Sequence, residues 1–191
     1  MSLELTQPPV LDTIDAKFMS LLKVAKPPKR ELFDGSDIAL LPLYDELARI
    51  AGVKRDANWE MLGRSSTVPS GATQVSARGW HRDTVNGYMA VDALPTEFLI
   101  GEDEVVRNFI VERMHSWRPQ SEHMTPRIAR AIAHNANFCT TEELQDDYGF
   151  GIWSPAPLEV VVVGSTDIHR STPNSQETAV PRNLAMVFEV I

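Results

Sequence analysis

Hydrophobic positions recur along the chain with two different periods, and the change falls near residue 58. Before it the spacing is helical. Ile14, Phe18, Leu21 and Leu22 share one stripe. Pro27 and Pro28 stop that segment, and Lys26, Lys29 and Arg30 around them read as a solvated linker. Leu43, Tyr44, Leu47 and Ile50 form the stripe of a second helix over about 41–50, opened by Pro42 and ended by Gly52. Beyond residue 58, residues 73–80 set Val75, Ala77 and Gly79 against Gln74, Ser76 and Arg78, which predicts a strand with one small, apolar face. Short strands follow over 88–93 and 97–100, with Asn86-Gly87 as a turn before the first and Pro95 between them. Residues 105–111 fit either period, and a strand is the preferred reading. Residues 125–137 predict a helix with Thr125 as N-cap, Pro126 in its first turn, and Ile128, Ala131, Ile132 and Ala136 on one face. Thr140 and Glu143 form a capping box for a further helical turn. A buried strand over 158–163 and a last strand over 182–191 complete the pattern.

These elements predict a mainly β, antiparallel architecture with helical support. The expected organisation is one domain over 1–191, with 1–55 as a helical N-terminal support and about 73–191 as the β core.

Composition narrows the function classes. With 191 residues, 43% hydrophobic and 23% charged, the chain can bury one ordinary core. Its one cysteine, Cys139, permits no disulfide within the chain and no all-cysteine metal site. Lys plus Arg number 18 and Asp plus Glu 26, for a net charge of −8. That argues against broad, non-specific binding to nucleic acid or anionic lipid and leaves room only for a local basic groove; no nucleic-acid or membrane partner is expected. No apolar run approaches the roughly 18 residues of a membrane helix. The first residues lack the basic start and apolar centre of a secretory signal, so a reducing, cytoplasmic setting is expected. A small molecule or a protein side chain is the expected substrate, and nothing in the pattern fixes the oligomeric state.

Chemistry concentrates at two of the five histidines, which are His81, His115, His123, His134 and His169. On a strand, residues i and i+2 point to the same face. His81 and Asp83 therefore project together, on the parity of Val75, Ala77 and Gly79, while Arg82 points away. His169 follows a very hydrophobic strand, 86 residues after Asp83. An antiparallel barrel can bring these strand ends together. Two histidines and one carboxylate on one face of an octahedron leave three positions open, a set that favours non-haem Fe(II) with room for a bidentate co-substrate and for O2. Arg182 opens the final strand, and its same-parity neighbours Leu184, Met186, Phe188 and Val190 are apolar. An arginine on an inner face is costly unless an anion meets it, and its planar fork suits a carboxylate. A dicarboxylic co-substrate would chelate the metal at one end and meet Arg182 with the other.

The order His81-Arg82-Asp83, His169, Arg182 resembles the H-x-D…H…R signature of the Fe(II)- and 2-oxoglutarate-dependent dioxygenases. The stretch from His169 through Ser171 to Asn174, closing on Arg182, is similar to the distal motif of the phytanoyl-hydroxylase-like and prolyl-hydroxylase-like branches. The resemblance covers about 73–191. It implies a double-stranded β-helix, or jelly-roll, core. It also implies an oxygenase in which oxidative decarboxylation of 2-oxoglutarate to succinate and CO2 is coupled to hydrogen abstraction from a substrate. In the family's halogenases a small residue replaces the carboxylate ligand; Asp83 stands here, which implies hydroxylation or a related oxidation. One departure concerns the position two residues after the arginine, where many members carry serine or threonine. Here it is Leu184. Tyr88 and Thr96 are the candidate hydroxyls to replace it.

The individual signals are short. A lone H-x-D arises readily by chance, and a histidine at a strand end is commonly a satisfied polar residue. Two competing readings follow: a cupin-type metal-binding barrel with another reaction, or a barrel without catalysis. An inward Arg182 separates the first reading from the cupin, which needs no cation there. His115 and His123 lie in a polar segment without close ligand partners and read as solvent-facing, and His134 reads as surface or helix-edge. Trp80 and Trp153 are core residues or the rim of a substrate mouth.

Overall fold

Antiparallel strand pairing organises the chain into two sheets. The computed structural model describes residues 7–24, 32–34, 38–54, 59–71, 79–83, 85–117, 133–135 and 140–189. The strands are β1 (Val10–Thr13), β2 (Leu32–Asp34), β3 (Trp59–Val68), β4 (His81–Arg82), β5 (Gly87–Val91), β6 (Thr96–Ile100), β7 (His115–Trp117), β8 (Ala133–Asn135), β9 (Gly151–Trp153), β10 (Glu159–Val163), β11 (His169–Ser171) and β12 (Val180–Glu189). Among the described residues one sheet runs β1-β10-β5-β12-β3-β2 and the other β7-β8-β4-β11-β6-β9. The helices are α1 (Ala16–Met19), α2 (Leu21–Val24), α3 (Leu41–Ala51), α4 (Asp103–Arg113) and α5 (Thr141–Asp146).

The spine is the pairing of β12 with β3, unbroken from Val180↔Val68 to Glu189↔Trp59. β12 is buried on both faces. Met186 and Phe188 meet Met89, Val91, Phe98, Val161 and Val163 between the sheets, with Leu184 at the edge of that cluster. Ala185 and Val187 face the other way, against Ile14, Leu22, Leu43, Tyr44 and Leu47 of the helical layer. A third cluster, with Trp80, Leu99, Phe109, Leu144 and Phe150, lies on the outer side of the second sheet beneath α4 and α5. Close approach fixes one glycine: a Cβ at Gly87 would stand 2.5 Å from the Val187 carbonyl oxygen and 2.8 Å from the Phe188 Cβ.

Several local signals hold. α3 carries Pro42 in its first turn and ends at Gly52, whose φ of 69° is left-handed. The Thr140–Glu143 capping box is complete in both directions. β5, β6, β10 and β12 lie where alternation places strands.

Other expectations need correcting. Residues 105–111 belong to helix α4, not a strand. Val105, Val106, Phe109 and Ile110 turn to the third cluster at helical spacing, and Asp103 and Glu104 sit in the first turn, where the helix dipole favours them. The first 55 residues are not helical throughout. β1 and β2 are strands on the two edges of the first sheet, and the first helix is split between α1 and α2 at Ser20. β3 had no counterpart among the predicted strands. Of the strand predicted over 73–80, residues 73–78 lie outside the described residues, and 79–80 form a bend. Of the helix predicted over 125–137, only 133–135 are described, and they form strand β8 between β7 and β4. His123 and Cys139 lie outside the described residues. Among the described residues no helix is long and apolar enough to cross a membrane.

Candidate metal centre

β4 and β11 are neighbours in the second sheet, and their antiparallel register pairs His81 directly with His169. Directly opposed residues point to the same face. The two rings stand 4.5 Å apart at 58°. Asp83, two residues beyond His81, brings its Oδ2 to 3.5 Å from His169 Nε2. One ligand atom from each of the three lies within 4.8 Å of the others. Phe98, paired with His169 across β6, packs its ring 5.6 Å from that imidazole.

Both imidazoles are oriented by the same device. His81 Nδ1 donates to the carbonyl of Gly79 at 3.1 Å, and His169 Nδ1 donates to the carbonyl of Asp167 at 3.1 Å. A carbonyl only accepts, so the proton sits on Nδ1 and Nε2 is the nitrogen left for the centre. The second carbonyl is itself fixed. Asp167 Oδ2 accepts from the Gly164 N–H at 2.6 Å, and the Asp167 N–H donates to the Gly164 carbonyl at 3.0 Å. The turn before β11 is thereby locked in the shape that aims His169.

Burial and the neighbouring His169 charge push His81 down to about 4, so it is neutral at pH 7. Burial pushes the Asp83 carboxyl up, but the hydrogen bond and charge of His169 outweigh it and hold the group at about 2. Burial pulls His169 down, and the Asp83 carboxylate more than reverses this, raising it above its ordinary value. Asp83 and His169 thus favour each other's charged forms, beside a neutral His81. Two inward Nε2 atoms and one carboxylate are a donor set that could hold a divalent cation, which would take the place of a proton on His169.

Arg182 faces the same interior. It is 1% exposed. Its Nε donates to the Leu94 carbonyl at 2.7 Å and its Nη2 to Thr96 Oγ1 at 2.9 Å. Leu94 has a φ of 51°, an uncommon conformation for a branched residue, and presents that carbonyl. Burial and the charge of Arg64 bring Arg182 down to about 10, with Asp92 acting in the opposite sense. The Arg182 charge in turn contributes to the lowering at His81.

The structure brings together His81, Asp83, His169, Arg182 and Thr96. It does not bring Tyr88. Met89 and Val91 of β5 face the interior, so Tyr88 faces the helical layer, with its ring 5.8 Å from Trp59. Two interior residues escaped the sequence reasoning. Ser171 pairs with Thr96, is 3% exposed, and its hydroxyl has no hydrogen-bond partner among the described residues. The same i+2 parity that joins His81 to Asp83 joins His169 to Ser171 and was signal enough to find it. Arg64, 7% exposed, lies on β3 directly across from Leu184. Trp80 is core: it is 1% exposed, with the Arg170 guanidinium 4.3 Å above its ring. Trp153 is half-buried, 5.7 Å from Phe98.

No family profile and no curated protein matches the chain. Among solved structures it is similar to EvdO2 from Micromonospora carbonacea var. aurantiaca complexed with 2-oxoglutarate, at 15% identity over 96% of this chain and 69% of that one, with a TM-score of 0.43. A second structure of EvdO2 gives 14% identity over 96% and 68% of the two chains, with the same TM-score.

Proposed function

We propose that this chain is a non-haem Fe(II)- and 2-oxoglutarate-dependent oxygenase on a double-stranded β-helix core, acting in the cytoplasm on a small molecule or a protein side chain. The carrying observation is the pairing of His81 with His169 across β4 and β11, with Asp83 beside them and Arg182 facing the same interior. The core assignment is supported by the path of the chain. β3, β5, β10 and β12 belong to the first sheet, and β4, β6, β9 and β11 to the second. The chain therefore changes sheet at each step except between β6 and β9.

His81, Asp83 and His169 hold the metal. Iron with 2-oxoglutarate supplies O2 activation, in which the co-substrate becomes succinate and CO2. Arg182 binds the distal carboxylate through charge-assisted hydrogen bonds. Thr96 and Ser171 supply the hydroxyls that position 184 lacks. Thr96 already holds the guanidinium, and Ser171 stands next to it on β11. Met186, Met89 and Phe98 between the sheets keep water from the site and strengthen these charge contacts.

Anaerobic addition of Fe(II) and 2-oxoglutarate tests the reading. A visible metal-to-ligand charge-transfer band is expected. A protein that binds Fe(II) and gives no band with 2-oxoglutarate is not this enzyme, and the cupin-type alternative then stands.

A further inference from the structure

The outer face of the second sheet carries a row of side chains alongside the ligand row, and the oxygenase reading gives it no role. On the inner face the row across β4, β11 and β6 is His81, His169 and Phe98. One residue away along each segment stand Trp80, Arg170 and Glu97. Arg170 and Glu97 are directly opposed in the β11–β6 register. The β4–β11 register, continued by one residue, sets Trp80 against Arg170, and the guanidinium lies 4.3 Å over the indole ring. Arg170 Nε donates to Glu97 Oε2 at 2.6 Å, with the two side chains only 19% and 16% exposed. Such a pair is shielded from the solvent screening that makes surface ion pairs weak. Trp80 is seated in turn in the cluster with Leu99, Phe109 and Ile168.

The strand pairing that this row backs is short. β4 has two residues, and among the described residues its ladder with β11 is the one pair His81–His169. Residues 79–80 form a bend. With so few main-chain hydrogen bonds between them, the two segments have little of their own to resist a shear that would move one imidazole against the other. A second tie joins the same two segments: Arg82 Nη1 donates to the Ser165 carbonyl at 2.8 Å, in the turn before β11.

We propose that Arg170 is a positioning residue of the metal centre. Held by Glu97 of β6 and laid on Trp80, it fixes the segment bearing His81 and Asp83 against the strand bearing His169. The proposal rests on the metal-binding part of the oxygenase reading and not on the co-substrate. A guanidinium suits the task because its flat face stacks on the indole while its edge meets the carboxylate. Arg170 follows His169 in the chain and Trp80 precedes His81. A shift at the stack is therefore carried to both imidazoles through the adjoining peptide links.

The experiment is titration of the full chain with Co(II), read by calorimetry and by the visible absorption of the bound ion, beside the melting temperature of the metal-free protein. The absorption reports the geometry of the ligand set, which a loss of stability alone does not alter. Arg170→Gln combined with Glu97→Gln, so that no unpaired carboxylate remains, should weaken Co(II) by about 10-fold and change the band, the scale on which groups behind metal ligands act. Arg170→Lys keeps the charge without the flat fork and should fall between wild type and the double variant, and it decides the matter if the double variant does not fold. Phe109→Leu, in the same cluster on α4, should lower the melting temperature and leave Co(II) affinity and band unchanged. A folded Arg170 variant that behaves like this, with wild-type affinity and band, overturns the assignment, and so does equal weakening by Phe109→Leu. A wild type that binds no Co(II) overturns the metal-centre reading itself, and the positioning role with it.

Discussion

His81 and His169 are cross-strand partners, 88 residues apart in sequence and directly opposed in the β4–β11 register. Asp83 reaches the same point from just past the end of β4. The β4 segment therefore brings two of the three groups and β11 the third, so the cluster exists only when the two strands are paired.

Asp83→Ala is expected to abolish turnover and leave the fold intact. The variant loses the anionic ligand, and His169 loses the carboxylate that raises it. Metal content after loading, together with circular dichroism, checks this. Wild-type turnover in the variant would mean that Asp83 is not a ligand.

Metal affinity should rise with pH through the neutral range. Asp83 is held at about 2 and His81 at about 4, so neither takes up a proton there. His169 is raised above its ordinary value, so it is the group whose proton competes with a metal as pH falls. Affinity is lower below the folded His169 pKa and levels off above it. Titration in buffers of different ionisation enthalpy should show proton release on metal binding at acidic to neutral pH. A flat affinity and no proton release would contradict the coupling of Asp83 and His169.

Arg182→Leu should weaken 2-oxoglutarate binding by about 2–5 kcal/mol, the cost of truncating one partner of a buried charge pair. Metal binding should persist, because His81, Asp83 and His169 are unchanged. Equal 2-oxoglutarate affinity in wild type and variant would exclude the role.

Thr96→Val and Tyr88→Phe separate the two hydroxyls named from sequence. Thr96 accepts from Arg182, so its loss should weaken 2-oxoglutarate binding several-fold, the scale of one hydrogen bond. Tyr88 faces the helical layer, and removing its hydroxyl should leave that affinity unchanged. A matched loss in both variants would contradict the parity of β5.

The triad was legible because its signal is local. His81 and Asp83 share parity in three residues, and His169 begins a strand preceded by an unmistakable apolar run. Arg182 was legible as the one charge on an otherwise apolar parity. Tyr88 was misplaced because β5 is apolar on both sides: Met89 and Val91 face the other sheet, Tyr88 and Ala90 the helices. When both faces of a strand are covered, hydrophobic alternation no longer tells inside from outside. Arg64 was hidden for a related reason. Gly63, Arg64, Ser65 and Ser66 interrupt the pattern of β3, whose strand character comes from its long pairing with β12. α4 was misread because Val105 and Val106 favour a strand locally, while Phe109 and Ile110 complete a helical stripe only through tertiary packing.

Each imidazole donates through Nδ1 to a main-chain carbonyl two residues upstream, His81 to Gly79 and His169 to Asp167. Their aim is a property of the backbone path. Substitutions on the surrounding walls, away from Asp83 and Phe98, should then reshape the space beside the rings without turning either one. On the oxygenase reading, such a scaffold would uncouple the evolution of substrate preference from the upkeep of the histidine geometry.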